Sequence, residues 1–259
     1  MIIQEIINQT RSGVCKIEFY LNGVLVNSGS GFIYKGRLVT NSHVFHPSGF
    51  VFDNETKLNL IFGDKEKTEL EMKDLKLITG SDESNADFAV YDVSEKVRDI
   101  EKRFNFDLSN LEYISEGDEV VLLGFPFGTS YLTTHYGRIS ALYEDGGINK
   151  IQIDASINQG NSGGPLYHLA TEKVIGIVTR KQSGLAKDFD DLLESFSENI
   201  RALEAAQKNG SIGMLGINPI EFFKVSQNQM KLISQNIKRS ANTGIGYAFS
   251  CEKLLEEDF

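Results

Sequence analysis

Short runs in which apolar and polar residues alternate, each closed by a turn, fill the first half of the chain and return in the second. Val14-Cys15-Lys16-Ile17-Glu18-Phe19 alternates with the period of a strand. Asn22-Gly23 reads as a hairpin turn ahead of Val24-Leu25-Val26. Gly29-Ser30-Gly31-Phe32-Ile33-Tyr34 leads through Lys35-Gly36 to Arg37-Leu38-Val39-Thr40, and residues 58–62, 76–78 and 88–93 add candidates. A second series occupies residues 120–123, 137–142, 151–155 and 174–179. Many short strands at close spacing predict barrels or sandwiches rather than an alternating α/β sheet. Residues 94–103, with Val97 and Ile100, read as a short linking helix, so two halves should meet near residues 95–116.

One stretch departs from this pattern. Phe189, Leu192, Leu193, Phe196, Ile200 and Leu203 recur at helical spacing, with Asp190, Asp191, Glu194 and Glu198 between them. After Asn209-Gly210, Asn218-Pro219 with Glu221 is a helix start, followed by apolar Ile220, Phe223, Met230, Ile233 and Ile237. The spacing predicts a helical hairpin inserted into the second β-rich half, packing its own apolar faces.

Composition excludes several classes. The 259 residues are 41% hydrophobic and 24% charged, ordinary for a soluble globular protein. A net charge of −10 without any basic run argues against nucleic acid, whose binding rests on cationic patches. No window is apolar enough for a membrane span. Residues 1–10 lack the basic start, apolar centre and small-residue cleavage site of an export leader. Only Cys15 and Cys251 are present, whereas exported proteins of this size usually carry several disulfides; the count predicts a reducing, cytoplasmic setting. Both read as buried small hydrophobes.

Chemistry concentrates in Gly160-Asn161-Ser162-Gly163-Gly164-Pro165-Leu166. Glycines beside a serine let successive backbone N–H groups converge next to a hydroxyl, as a nucleophile with an oxyanion hole requires. The string Gly160-x-Ser162-x-Gly164 also matches the α/β-hydrolase elbow, which needs a following helix and the order Ser, acid, His. The only histidine after Ser162 is His168, and Pro165-Leu166-Tyr167 reads as strand, so that alternative fails. The opposite order fits. His43 ends the apolar run Leu38-Val39-Thr40-Asn41-Ser42-His43-Val44 and suits a general base. His46 has no further ligand cluster to make a metal pair, and His135 and His168 lack supporting context. Asp87 directly precedes the apolar strand Phe88-Ala89-Val90-Tyr91 and is the best orienting acid; Asp92 lies at the far end of that strand, and Asp82 in a polar loop.

Thr40-Asn41-Ser42-His43-Val44, Ala86-Asp87-Phe88-Ala89-Val90 and the Ser162 run together resemble the chymotrypsin-like serine proteases, most closely the HtrA type. The resemblance continues in Gly124-Phe125-Pro126-Phe127-Gly128, Asp154-Ala155-Ser156-Ile157-Asn158, Val174-Ile175-Gly176-Ile177 and Gly244-Ile245-Gly246-Tyr247-Ala248-Phe249. It implies a mainly β fold of two packed six-stranded antiparallel barrels. The expected divisions are 12–95 for the first barrel, 96–118 for the linker, 119–183 with 241–251 for the second barrel, and 184–240 for the helical insertion. It implies a His43, Asp87, Ser162 triad, an oxyanion hole of Gly160, Asn161 and Ser162, and serine endopeptidase activity on protein or peptide substrates, with no cofactor or metal. Ser156, Ile157, Thr179, Arg180, Lys181 and Gly246 would line the substrate site. Neutral Ser156 and Ile157 at the base of the primary pocket suggest an apolar P1 residue.

Departures from the family also carry expectations. Asn161 cannot pair with a newly cut N-terminus as the aspartate of trypsin-type zymogens does. The chain ends at Phe259 without room for a PDZ domain. Family topology sets the helical insertion beside the substrate cleft, as a lid or a docking surface for an activator. The alternative is a latent or inactive protease-like module acting mainly in protein binding.

Overall fold

The computed structural model describes residues 3–47, 51–53, 55–82, 85–179, 184–208, 219–240 and 244–259, with the backbone alone at 184–190, 208 and 236–240. The chain divides into two compact units, Met1–Arg180 with Thr243–Phe259, and Lys181–Asn242.

Among the described residues the first unit carries thirteen strands: β1 (Val14–Leu21), β2 (Val24–Tyr34), β3 (Arg37–Thr40), β4 (Lys57–Phe62), β5 (Lys67–Glu71), β6 (Lys76–Ser81), β7 (Phe88–Asp92), β8 (Glu119–Gly124), β9 (Thr133–Asp145), β10 (Ile148–Ile153), β11 (Pro165–His168), β12 (Lys173–Thr179) and β13 (Gly246–Ser250). The last six close into an antiparallel barrel in the order β10-β13-β12-β11-β8-β9. The first seven form an open sheet, β5-β4-β1-β2-β3-β7-β6. The expected pair of six-stranded barrels is therefore met in the second half only. Its first member stays open because β5 and β6 are edge strands: β5 alternates Lys67, Glu69 and Glu71 at one border, and Leu77 of β6 is exposed at the other. Charge on an edge strand discourages further pairing. The same charge hid β5 from hydrophobic periodicity.

Two predicted strands merge into β2, which runs past a bulge opposite Phe19/Tyr20 and pairs with both β1 and β3. The segment at 94–103 is turns and a 3₁₀ helix, Ile100–Lys102, although Val97 and Ile100 are buried as their apolar character requires. The terminal helices carried no signal either: α1 (Ile3–Thr10) buries Ile6, and the short α5 (Glu252–Leu255) buries Leu254.

Strand period sorts β1 between two cores. Cys15, Ile17 and Phe19 point into the open sheet's own core with Leu38, Phe45 and Tyr91. Val14 points the other way, into a core shared with the barrel that includes Phe32, Val121, Phe125 and Tyr167. Lys16 and Glu18 follow Val14 in phase. Both are buried, and their side chains form an ion pair of 2.5 Å. Burial raises the Glu18 carboxyl, but hydrogen bonds from Lys16 and Tyr20 outweigh it and bring the group below its usual range. The barrel has its own interior of Leu122, Ile151, Ile153, Leu166, Ile175 and Val178.

The second unit is a pair of helices, α3 (Gly184–Lys208) and α4 (Pro219–Ser240). Its packing corrects the sequence reading. Phe223, Met230 and Ile233 of α4 are exposed, together with Phe222. The polar side of α4 turns to α3 instead, through Lys224 to Glu204 at 3.5 Å and Asn199 to Gln227 at 3.4 Å, with Ser234 buried. No described helix is long and apolar enough to cross a membrane.

Candidate active site

His43 lies in a single helical turn, α2 (Ser42–Phe45), directly after β3. Asp87 lies directly before β7, the neighbour of β3 in the sheet, so adjacent strands deliver the two residues to one end. The His43 ring Nδ1 is 2.7 Å from Asp87 Oδ2. The carboxylate also accepts the His43 backbone N–H at 3.1 Å and the Thr179 hydroxyl at 3.4 Å. Asp87 is fully buried and has φ of 45°, a left-handed conformation rare outside glycine. The Asn41 side-chain amide holds it there by donating to the Asp87 carbonyl at 2.7 Å. Such an outlier persists only where the surroundings over-determine it, and here its effect is to turn the carboxylate under the imidazole.

Ser162 comes from the loop before β11 and is buried near the His43 segment. Its carbonyl accepts the Ser30 N–H at 2.8 Å. A Cβ placed on Gly29 would lie 2.7 Å from Val44, the neighbour of His43, and 3.2 Å from the Ser162 carbonyl oxygen, so both segments meet over that glycine. Gly163 fits still more closely. It has φ of +88°, and a Cβ there would lie 2.1 Å from the Ser30 carbonyl and 2.2 Å from Thr40 Oγ1. Gly163→Ala is expected to cost about 2–4 kcal/mol, the range of strain plus overpacking, seen as a thermal midpoint lower by several degrees. An unchanged melting curve would contradict this geometry.

The donors beside Ser162 are set by their own peptide planes. Opposite ends of a trans peptide carry C=O and N–H pointing in opposite directions. The Asn161 carbonyl accepts the Gly164 N–H at 3.0 Å and thereby aims the Ser162 N–H away from it. The Gln159 carbonyl accepts the Phe127 N–H at 2.6 Å and aims the Gly160 N–H likewise. Gly160 has φ of +99°, with Phe125 O only 2.4 Å from where a Cβ would sit. Among the described residues neither the Gly160 nor the Ser162 N–H donates a hydrogen bond. Asn161 differs: its N–H donates to Asn158 O at 3.0 Å, so the expected contribution of that donor to an oxyanion hole is corrected. The Asn161 side chain is fully buried, and its amide atoms have no partner among the described residues.

The remaining predicted site residues separate. Ile157 is buried and packs on Gly246, whose added Cβ would lie 2.5 Å from Ile157 Cδ1; Ser156 beside it is half-buried. Thr179, expected from the sequence to contact substrate, sends its hydroxyl to Asp87, a contact that no local sequence pattern signals. Arg180 and Lys181 lie outside the described residues. His46 turns back to the Ser42 carbonyl at 3.2 Å, and buried His168 sits between Thr171 and Asp118. Burial pushes the Cys15 thiol up to about 12 and raises Cys251 as well, and both are free, so neither is poised as a thiolate.

Comparison with known proteins places this arrangement. Residues 23–177 match the trypsin-like peptidase domain family. A probable periplasmic serine endoprotease DegP-like from Bartonella henselae is 37% identical over 161 residues, 58% of this chain and 27% of the relative. A protein of the same name from Rickettsia conorii is 31% identical over 84% of this chain and 39% of its own length. The periplasmic pH-dependent serine endoprotease DegQ of Escherichia coli is 32% identical over 61% and 30%. The chain thus spans well under half the length of these relatives. The solved serine endoprotease from Yersinia pestis superposes with a TM-score of 0.52 at 25% identity, covering 69% of this chain and 57% of that one. An HtrA-type protease, AlgW, shares the fold with a TM-score of 0.53 over 68% and 53%.

The relatives overturn the cytoplasmic assignment. They are named as periplasmic proteases, which points to the periplasm rather than the cytoplasm. A low cysteine count reports only that a fold does without disulfides, and the large buried cores described above supply the stability that disulfides give to smaller exported domains. The matched domain and the His43–Asp87 pair brought up to a glycine-flanked serine lead to one assignment: the chain belongs to the trypsin-like peptidase family, with relatives of the DegP/HtrA type.

Proposed function

We propose that the protein is a serine endopeptidase in which His43, Asp87 and Ser162 act as a triad on protein or peptide substrates. The observation that carries this reading is the 2.7 Å bond between His43 Nδ1 and a fully buried Asp87 carboxylate, on the segment that meets the Ser162 loop. Asp87 fixes the tautomer with the proton on Nδ1, leaving Nε2 as the acceptor for the Ser162 proton. The serine oxygen attacks the peptide carbonyl, and the carbonyl oxygen takes up negative charge between the Gly160 and Ser162 N–H groups. The imidazolium then protonates the leaving amine. Water, deprotonated by the same histidine, releases the acyl group. The relatives' names support this chemistry and a periplasmic setting.

Burial of Ile157 against Gly246 supports an apolar P1 preference. The test is labelling by a fluorophosphonate probe together with cleavage of a peptide library. Labelled protein that favours apolar P1 residues is expected; strict selection of Arg or Lys at P1 would reverse the specificity reading.

The exposed Phe222, Phe223, Met230 and Ile233 of α4 support a role for the helical unit in contacting an activator or substrate protein. Replacing residues 185–240 by a short linker is expected to leave probe labelling within about threefold of the full chain while changing which folded proteins are cut. Unchanged cleavage of every protein substrate would reduce the unit to a surface insertion.

A further inference from the structure

The turn that aims the Gly160 N–H, a 3₁₀ turn at Pro126–Gly128, is itself held from outside the barrel. Its middle residue, Phe127, has φ of 54° and an exposed ring, so neither backbone preference nor burial of that side chain fixes it. Two fully buried side chains of the open sheet grip its two ends. Ser30 Oγ accepts the Phe125 N–H at 3.0 Å and donates to the Gly160 carbonyl at 2.7 Å. The Lys16 ammonium donates to the Gly128 carbonyl at 2.6 Å.

These two residues belong together. Lys16 of β1 and Ser30 of β2 are directly opposite in the strand register and therefore share the face turned toward the barrel. Glu18 follows Lys16 on that face, pairs with its ammonium at 2.5 Å and accepts the Tyr20 hydroxyl at 2.9 Å. A buried lysine is costly without an anionic partner. Here the partner is present, and one donor is directed across to Gly128.

We infer that Lys16 and Ser30 are positioning residues for the oxyanion hole: a cross-strand pair that clamps the Pro126–Gly128 turn and, through Phe127 N–H and Gln159 O, sets the direction of the Gly160 N–H. The chain of contacts is continuous. Ser30 fixes the peptide after Gly160 directly through its carbonyl, and the clamped turn fixes the peptide before it. With both flanking carbonyls anchored, the peptide carrying the Gly160 donor has little freedom to rotate. Neither Lys16 nor Ser30 touches a reacting atom; Lys16 acts through the turn, and Ser30 acts through both the turn and the Gly160 carbonyl. The inference rests on the protease reading above.

The experiment compares Ser30→Ala and Lys16→Met with the unaltered chain by fluorophosphonate labelling rate, by kcat and KM on one peptide, and by affinity for a peptide trifluoromethyl ketone. The ketone's adduct with serine carries an oxyanion, whereas KM reports mainly ground-state contacts. The expected result is a labelling rate, kcat and ketone affinity each lower by about 10- to 100-fold, with KM within about threefold. That is less than the roughly 10²–10³ lost when a hole donor is deleted, because the donor is loosened rather than removed. Ser30→Thr, which keeps the hydroxyl, is expected to recover most of the loss. Lys16→Met leaves Glu18 buried and unpaired, so Lys16→Met/Glu18→Gln serves wherever the single variant fails to fold. Folded variants with labelling, kcat and ketone affinity within twofold of the unaltered chain overturn the inference and leave the protease reading standing. A loss confined to thermal stability overturns it equally. An unaltered chain that neither labels nor cleaves would overturn the protease reading and this inference with it.

Discussion

Ser162→Ala is expected to abolish fluorophosphonate labelling and to lower turnover by about 10⁶, the loss seen when a serine nucleophile acts as part of a unit. The fold should survive the change. Ser162 is held through its backbone, by Ser30 N–H on its carbonyl and by the Gly163 and Gly164 bonds that follow, and its hydroxyl is the only group removed. A melting curve matching the unaltered protein is therefore part of the expectation. Residual cleavage within tenfold of the starting rate would mean that another group performs the chemistry. The free cysteines are poor alternatives, since both are buried with thiols held protonated.

Asp87→Asn is expected to lower kcat by about 10⁴ while leaving the structure in place. An asparagine fills the same space, but its amide group can present N–H to the imidazole where a carboxylate only accepts. Three donors now converge on the Asp87 carboxylate: the His43 ring, the His43 backbone and the Thr179 hydroxyl. In the variant the amide oxygen takes the place of Oδ1 and accepts the His43 backbone N–H, so the amide nitrogen stands where Oδ2 met the ring and the Thr179 hydroxyl, donates to Nδ1 and favours the tautomer with the proton on Nε2. A histidine so protonated has no lone pair for the serine. Kinetics on a small peptide would measure the loss. A decrease smaller than tenfold would show that Asp87 does not control the histidine.

The parts of this site that could be read from the sequence are those whose chemistry is local. Ser162 is flagged by its glycines, His43 and Asp87 by their positions at the ends of apolar strands, and chain order separated this arrangement from an α/β-hydrolase elbow. What could not be read depends on residues meeting across strands. Lys16 looks like the solvent-facing member of an alternating strand, and only the register that sets it opposite Ser30 makes it an interior cation. Thr179 sits at the end of a strand where a substrate contact was expected, yet its hydroxyl turns to Asp87. The amphipathic pattern of α4 was legible, but periodicity locates a stripe without saying which side packs. The polar contacts to α3 decided that against expectation. The opening of the first sheet depended on β5, a strand too charged to register as one.

Barrel closure has a consequence for how the molecule is made. β12 and β13 are hydrogen-bonded neighbours, yet the whole helical unit is threaded between them in the chain. During synthesis Ser162 and the Gly160 and Ser162 N–H groups emerge well before residues 246–250, and until those arrive β10 and β12 each present an unpaired edge. Loop-closure entropy rises only as the logarithm of length, so the long detour costs little once the last strand is available. Its effect is on timing. A nascent chain already holding Ser162 remains an open, edge-exposed sheet until residues 246–250 pair with both edges and close the barrel.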